Sequence, residues 1–520
     1  MQDLGKTPIK VLPLVDNFGE TNDYLQKPNL MKNFAILVLL AACHTISVQA
    51  QELPAGSLDP SFQAGAGLEA SPVLFRGIWV LPRPDGGAFI CGDFISYDNE
   101  PAGSFRAVQP TGELDAAFNA NYPCTGPVHG MQLLDDGRIL LANTTQCDGE
   151  NSGKVSRLLP DGSLDPTFDP GSGFAGGNLT VRAARAHGDK TWVGGDFHTF
   201  QGQPARFLSR LLDDGSPDPE YNHMFNGAAY DFANGGIWQV LVQDDDKVII
   251  IGRLWTFDEE LFSCTRLNAD GSPDTEFNNN IANLNGRISR IHLYEDGRML
   301  AMGGFTQYGS TPAFRLCRLH ADGSLDDTFV SAANSINTSM SVPTRFSDMA
   351  VQEDGKIVVV GWFNEVGGQS HGSIFRLMPD GSFDESWISG SGFNFPTTEV
   401  AIAADGNLFV TGSFWGYNGE STGALIKLLS NPLTLTANQD IEHNTDILVY
   451  PNPTKGLTQI DAPFLIEHLS VFDVQGRQLR RLVVPKVQSW QIDLSELGPG
   501  IYLLLAEGGM QHAISRLLIE

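Results

Sequence analysis

A unit of the form Gly-x-x-Asp-x-x-aromatic recurs seven times along the chain. Its first copy is Gly56-Ser57-Leu58-Asp59-Pro60-Ser61-Phe62, and the others start at Gly112, Gly162, Gly215, Gly271, Gly323 and Gly381. The repeat length is 50–58 residues, and the aromatic is Phe62, Phe118, Phe168, Tyr221, Phe277, Phe329 or Trp387. Between units lies a turn followed by an apolar strand, as in Asp136-Gly137-Arg138-Ile139-Leu140-Leu141 and Asp354-Gly355-Lys356-Ile357-Val358-Val359-Val360. Asp-Gly between apolar runs signals a hairpin, because glycine accepts positive φ there. Each repeat therefore reads as four short strands, the size of a propeller blade. One such sheet leaves both faces wet, whereas neighbours set radially cover each other.

The two ends of the repeat region are complementary. Gly56 opens a fourth strand with no third strand before it, while Ala424-Leu425-Ile426-Lys427-Leu428-Leu429 is a third strand with no fourth after it. Residues 56–62 are expected to complete the sheet ending at Leu429, giving an all-β, seven-bladed propeller closed by an N-terminal strand. An open solenoid would want capping repeats instead. Five residues before the repeat glycine stands Arg157, Arg210, Arg266, Arg318 or Arg376, with Lys427 in the last third strand and Ala107 as the exception. These cations are expected to pair with the repeat aspartates across a turn, as structure rather than as a ring of ligands.

The run Gly194-Gly195-Asp196-Phe197, then Leu208-Ser209-Arg210-Leu211, then Gly-Ser-x-Asp resembles the delta-60 repeat β-propellers of exported bacterial proteins. The resemblance covers about residues 55–430. It implies a propeller and carries no general activity with it.

After a polar linker at 431–445 the repeat stops, and residues 446–520 read as short strands of a small Ig-like β-sandwich. Tyr450-Pro451-Asn452-Pro453 with Gly456 opens this region. Val471-Phe472-Asp473-Val474-Gln475-Gly476-Arg477, then Asp493-Leu494-Ser495 through Gly500-Ile501-Tyr502, and finally Arg516-Leu517-Leu518-Ile519 follow. Four motifs in this order look like the type A C-terminal sorting domain of the type IX secretion system. That resemblance implies a Bacteroidetes-type bacterium and the type IX machinery as partner. It also implies passage to the outside, with release or anchoring at the outer cell surface.

At the other end, Met31-Lys32-Asn33, the apolar run Phe34 to Ala42 and the small residues before Ala50/Gln51 form the parts of a signal peptide over 31–50. The run is too short to span a bilayer. Residues 1–30 read as an upstream extension. Leu40-Ala41-Ala42-Cys43 resembles a lipobox and is the competing reading. Cys124 and Cys147 stand almost symmetrically about the turn Asp136-Gly137, where they can meet across the open end of a hairpin, and an exported protein permits the bond. Cys91, Cys264 and Cys317 sit in apolar strands as packed thiols.

With 33 Lys+Arg against 61 Asp+Glu the net charge is −28, which argues against nucleic acid as partner. No His-Glu-x-x-His and no P-loop occurs. The expectation is no catalytic residue, no metal site and no cofactor; calcium has no motif to support it. A monomer without a transmembrane segment is expected. Propeller sites usually come from irregular loops at one mouth, and the loops after the second strands present Tyr97, Phe257, Tyr308 and Tyr417 as candidate rim contacts. Asp258-Glu259-Glu260 breaks the Gly-rich pattern of these loops and is the foremost single candidate. The composite reading is an exported binding or adhesion module for glycan or protein. A propeller-type glycoside hydrolase or lyase is the alternative, and a structural surface or matrix protein a third.

Overall fold

The computed structural model describes residues 51–520, apart from 65–67, 71–77, 93, 99, 102, 222–231, 257–260, 333–344, 367–368, 436–446, 474–476, 509–510 and 520. The upstream extension, the signal peptide with Ala50, and Cys43 lie outside the described residues, as does most of the linker.

The described residues are almost all strand, in repeated antiparallel sheets. Seven three-stranded sheets share one plan: a hairpin whose second strand is central, then a third strand added at its far side. The first comprises Ile78–Pro82, Ala88–Gly92 and Phe105–Val108, and the last Thr397–Ile402, Leu408–Gly412 and Leu425–Leu428. Every residue of Ala88–Gly92, Met299–Gly303 and Leu408–Gly412 is buried. This explains why the central strands read as unbroken apolar runs: neighbouring sheets cover both of their faces. The Asp-Gly turns close through Gly137 N–H to Leu134 O (2.9 Å) and Leu134 N–H to Arg138 O (2.8 Å), with Gly137 at φ +84°.

The expected fourth strand is reduced to a single bridge, such as Leu158 with Leu164 or Leu319 with Leu325. The repeat aspartate is the reason. In Asp165, Oδ1 accepts from the Thr167 N–H (2.9 Å), folding the chain into a turn that ends the pairing. Oδ2 takes the Arg157 Nε–H at 2.6 Å. The same division of labour holds Arg210 to Asp218, Arg266 to Asp274, Arg318 to Asp326 and Arg376 to Asp384, at 2.6–2.9 Å. Each of these arginines also lies over the aromatic of its own repeat, for example Arg266 at 4.2 Å from the Phe277 centroid. The glycine, aspartate and aromatic of the unit, with the upstream arginine, are thus one structural clasp. Where Ala107 replaces the arginine, Arg83 in the hairpin turn of the same sheet reaches Asp115 at 2.8 Å. The Asp115 and Asp274 side chains cap the short helices Ala116–Asn121 and Thr275–Ile281.

The N-terminal segment meets the last sheet as expected. Leu58 bridges Leu428, Gly56 N–H donates to Leu429 O (2.8 Å), and Asp59 N–H donates to Lys427 O (2.8 Å). Lys427 stands in for the arginine, 3.4 Å from Asp59. Gln51–Leu53 adds a further pairing with Leu433–Leu435. Gly162 has φ +92°, and a Cβ there would lie 2.7 Å from Phe118 O in the preceding repeat; at Gly56 it would meet Ile388 O at 2.6 Å. The joining segment therefore makes the contact with its neighbour that the internal repeats make. Phe62, Ile78, Val80, Ile90, Phe409 and Leu425 share one buried cluster across this seam.

The C-terminal region is one hydrogen-bonded sheet of Leu448–Tyr450, Leu457–Asp473, Gln478–Asp493, Gly500–Gly508 and Gln511–Ile519. Two of these strands, Leu457–Asp473 and Gln478–Asp493, are long where short ones were expected. Their register breaks between Asp461 and Ile466, around Pro463, where the lost ladder bond lets the ribbon bend about a core of Ile460, Phe464, Leu469, Val471, Ile492 and Leu504.

Removing residues 51–62 should lower the thermal midpoint and broaden unfolding, because the last sheet and its seam with the first lose their cover; calorimetry checks this. At Asp326, burial pushes the carboxyl up, but the Thr328 hydroxyl and N–H and the Arg318 guanidinium outweigh it and hold it down at about 2. Its stabilisation is present above the ordinary aspartate value and is lost as pH falls through about 2. Asp326→Asn should cost about 3 kcal/mol at pH 7 in urea unfolding, since Arg318 is left buried without its anion. That cost should shrink towards pH 2.

Candidate functional site

All seven innermost strands line one axial cavity of about 450 Å³. Several of them carry a bulge near their start, and the residue after it reaches to the next strand. Gln239 Oε1 accepts from the Ile291 N–H (3.1 Å), Asp348 Oδ2 from the Val400 N–H (3.1 Å), and Glu399 Oε2 from the Val80 N–H (3.2 Å). Arg290 occupies the same position in its strand and meets Asp348 at 3.5 Å. The two carboxylates therefore do the work of a glutamine, stapling adjacent sheets at the axis. Burial pushes the Glu399 carboxyl well up, and the neighbouring Asp348 charge pushes it further, against the pull of Arg290 and Arg185. Burial also raises Asp348, with Arg290 opposing, and lowers Arg185.

A second cavity of about 360 Å³ opens at one mouth of the axis, lined by Asn178, Arg182, Asp196, Gly235, Gly236, Trp238 and Arg253. It shares Arg182 and Trp238 with the axial cavity. Trp238 is held by its Nε1–H to Ser289 O (3.3 Å), and Asn178 donates to Asp196 Oδ2 (2.6 Å). Gly235, at φ +144°, has no room for a Cβ, which would lie 1.9 Å from Arg253 O.

At the same end of the sheets, Phe395 and Trp415 form a tilted pair with centroids 4.8 Å apart, 40 % and 58 % exposed. Trp362, 45 % exposed, takes in its repeat the hairpin-end register that Asp196 takes beside the smaller cavity. Thr397 Oγ1 donates to Gly361 O (3.0 Å), which brings Phe395 and Trp362 to one seam. Neither these aromatics nor the cavity residues were expected from the sequence. Their signal is a departure from the repeat: Trp415 stands just ahead of the in-register aromatic Tyr417.

The expected rim tyrosines are placed otherwise. Tyr97 and Tyr417 are buried, so as exposed contacts they are corrected. The Tyr417 hydroxyl donates to Gly56 O (2.6 Å), and Tyr97 donates to Gly112 O. Tyr308 is half-buried and donates to Gly323 O at 3.3 Å. These rings are posts under the repeat glycines, which is why they recur in register. Phe257 and Asp258-Glu259-Glu260 lie outside the described residues. Cys124 and Cys147 pair in register and are joined by a disulfide. Cys91, Cys264 and Cys317 are free and buried. Among the described residues, no group of three or more His, Cys, Asp or Glu could hold a metal ion, and no helix is long and apolar enough to cross a membrane.

The sorting-motif residues are braces of the C-terminal sheet. Asn452 donates to Arg516 O (2.6 Å) and accepts from the Leu518 N–H (2.9 Å), fastening Tyr450-Pro451-Asn452-Pro453 to the last strand. At Gly456, with φ +122°, a Cβ would lie 2.5 Å from Ser495 Cα. The Arg477 N–H donates to Asp473 Oδ1 (3.0 Å), and Tyr502 donates to Gly498 O (2.7 Å). Gly500 starts the fourth strand of the sheet, and Gly476 lies outside the described residues.

Radially repeated sheets with a separate, motif-bearing tail define an exported propeller protein. Residues 134–168, 190–221, 243–277, 295–329, 352–386 and 403–431 match the family described as a domain of unknown function (DUF5122) beta-propeller, and 448–520 match the secretion system C-terminal sorting domain. The chain thus carries the delta-60-like repeats of that propeller family together with a sorting tail, which marks it for export and cell-surface or secreted placement. No curated protein matches it. Among solved structures it is similar to the extracellular domain of BT3049 of B. thetaiotaomicron, named as a hybrid two component system, at 11% identity and TM-score 0.39. That match covers 90% of this chain and 57% of the other. The extracellular domain of BT4673 of the same organism, named as a one component system, is 9% identical at TM-score 0.35, with 91% and 58% covered. Apo AztD from Citrobacter koseri is 11% identical at TM-score 0.22, with 80% and 98% covered. The chain spans less than three fifths of the length of the first two.

Because Glu399 titrates above the ordinary glutamate range, the folded state loses stability as pH rises from that range to the raised value. Glu399→Gln keeps an acceptor for the Val80 N–H and removes this penalty. Its thermal midpoint should exceed that of the parent at pH 8 and converge with it below about pH 4.3, as a pH series of melts would record.

Proposed function

We propose that this protein is a surface-displayed or secreted glycan-binding module of a Bacteroidetes-type bacterium. A seven-bladed propeller over residues 51–430 would present the mouth described above, and an Ig-like sandwich at 446–520 would carry it to the type IX machinery. Seven sheets of one plan, joined through Leu58 and Leu428, support the blade number. Two long strands bent about one core support the sandwich. The observation that carries the binding role is the exposed aromatic group Trp362, Phe395 and Trp415 at matching strand ends of two adjacent sheets. Exposed rings with nearby hydrogen-bonding groups suit the apolar face and hydroxyl edge of a sugar.

A hydrolase or lyase reading has one observation in its favour, the neighbouring Asp348 and Glu399 with raised carboxyls. Both already accept backbone N–H groups as inter-sheet staples, which favours a structural role for the pair.

A glycan array probed with residues 51–520, with and without calcium, tests the binding role. Trp415→Ala with Phe395→Ala should weaken every hit by about tenfold or more while leaving the melting profile in place. Hits that survive this change but vanish with Asp258, Glu259 and Glu260 changed to Ala would move the site to that loop. No hit on any glycan would end the proposal.

A further inference from the structure

We propose that the axial cavity binds a free α-amino acid with an apolar side chain, its carboxylate taken by Arg185 and its ammonium by Glu399. This site is separate from the aromatic group Trp362, Phe395 and Trp415 and does not depend on the glycan-binding reading. Arg185 and Glu399 line the cavity, are half-buried, and come from the third and the seventh sheet. Each feels the charge of the other, yet among the described residues neither makes an ion pair. Arg185 donates through Nη1 to the Met131 and Ala184 carbonyls (3.1 and 3.0 Å), which fixes the guanidinium and leaves Nε and Nη2 without a bond to the described residues. Glu399 accepts the Val80 N–H at Oε2 (3.2 Å) and keeps Oε1 over. Stapling the sheets does not require a carboxylate there. Gln132 accepts from the Ala186 N–H (2.7 Å) and donates to the Ala186 carbonyl (3.2 Å), and Gln239 treats Ile291 the same way at 3.1 and 3.0 Å. Glu399 forgoes that second bond, while burial and the Asp348 charge both disfavour its anion. Asp348 has Arg290 at 3.5 Å as its cation; Glu399 has none in contact. A ligand ammonium would supply it. Opposite charges that face each other across a gap are met at once by a molecule carrying both, and charge-assisted bonds away from bulk water are the stronger kind. Trp79, Met131, Leu241, Leu293 and Met349 give the same cavity an apolar wall for a side chain. The second and third sheets place only Gly130 and Ala183 at the register that Arg290, Asp348 and Glu399 hold in theirs, so nothing beyond a Cβ extends from there. At about 450 Å³ the cavity has room for such a molecule, and it meets the smaller, open cavity at Arg182 and Trp238.

Isothermal titration of residues 51–520 at neutral pH with L-leucine, L-methionine and L-phenylalanine tests this. At least one of the three should bind, with its site filled by about 10 mM ligand. Two analogues of that amino acid, the carboxylic acid without its amino group and the α-amide, should each bind at least about tenfold more weakly. Glu399→Gln keeps the Val80 staple and should lose about tenfold or more of the affinity for the amino acid. Arg185→Gln should lose as much, and Arg185→Lys should retain more than Arg185→Gln. Titrations run below the melting transition of each variant separate lost contact from lost fold. Trp415→Ala with Phe395→Ala should leave the amino-acid affinity unchanged. Failure of all three amino acids to bind, or a smaller loss in either analogue or in Glu399→Gln, would overturn the inference. So would loss of binding in the Trp415 and Phe395 double variant, which would place the amino acid at the aromatic group.

Discussion

The antiparallel contact of Leu58 with Leu428 brings two segments together across nearly the whole repeat region and finishes the last sheet. Sheets stacked around an axis bury both faces only when the first and the last also meet. Without this contact, Ile78, Val80 and Ile90 on one side and Phe409 and Leu425 on the other would lose part of their shared cover. The loop-closure entropy is large in total but grows slowly with length, so one well-packed seam can offset it. That the seam reuses the bonding of the internal repeats, with Lys427 on Asp59 and Tyr417 on Gly56, explains how a local motif encodes a global closure.

The same repeated chemistry separates scaffold from site. In five of the repeats arginine, aspartate and aromatic satisfy one another, and the in-register tyrosines end on repeat-glycine carbonyls. Side chains present in every repeat are therefore consumed by the fold. What occurs once is the exposed Phe395–Trp415 pair with Trp362, the group proposed above to meet an outside partner. A symmetric frame and an asymmetric mouth can thus change independently, which suits a protein whose tail delivers it outside the cell.

Legibility followed that division. The repeat count, the complementary ends, the arginine–aspartate pairs and the Cys124–Cys147 pairing could be read because spacing alone expresses them. The short fourth strand was overestimated, because the sequence pattern does not reveal that the aspartate side chain folds the backbone away after one bridge. The rim tyrosines were misplaced for a related reason. A recurring aromatic looks like a candidate contact until its hydroxyl is seen on a buried carbonyl. In the tail, the pairing of Leu457–Asp473 with Gln478–Asp493 runs through the register break around Pro463, so strands expected to be short are long.

Period and spacing by themselves determined that this chain forms repeated β units and that its first unit belongs to its last sheet, while the sorting tail was legible only through its resemblance to a family's motifs. The first two follow from local turn chemistry and apolar alternation, which act over a few residues and are written directly in the chain. Only the tertiary structure decided which aromatics face water and which charges share the axis. Asp348, Glu399, Arg185 and Arg290 come from different repeats and lie far apart in sequence. Their meeting depends on bulges that turn single residues inward and on the ring bringing distant strands within a few ångströms, a geometry that no local pattern records.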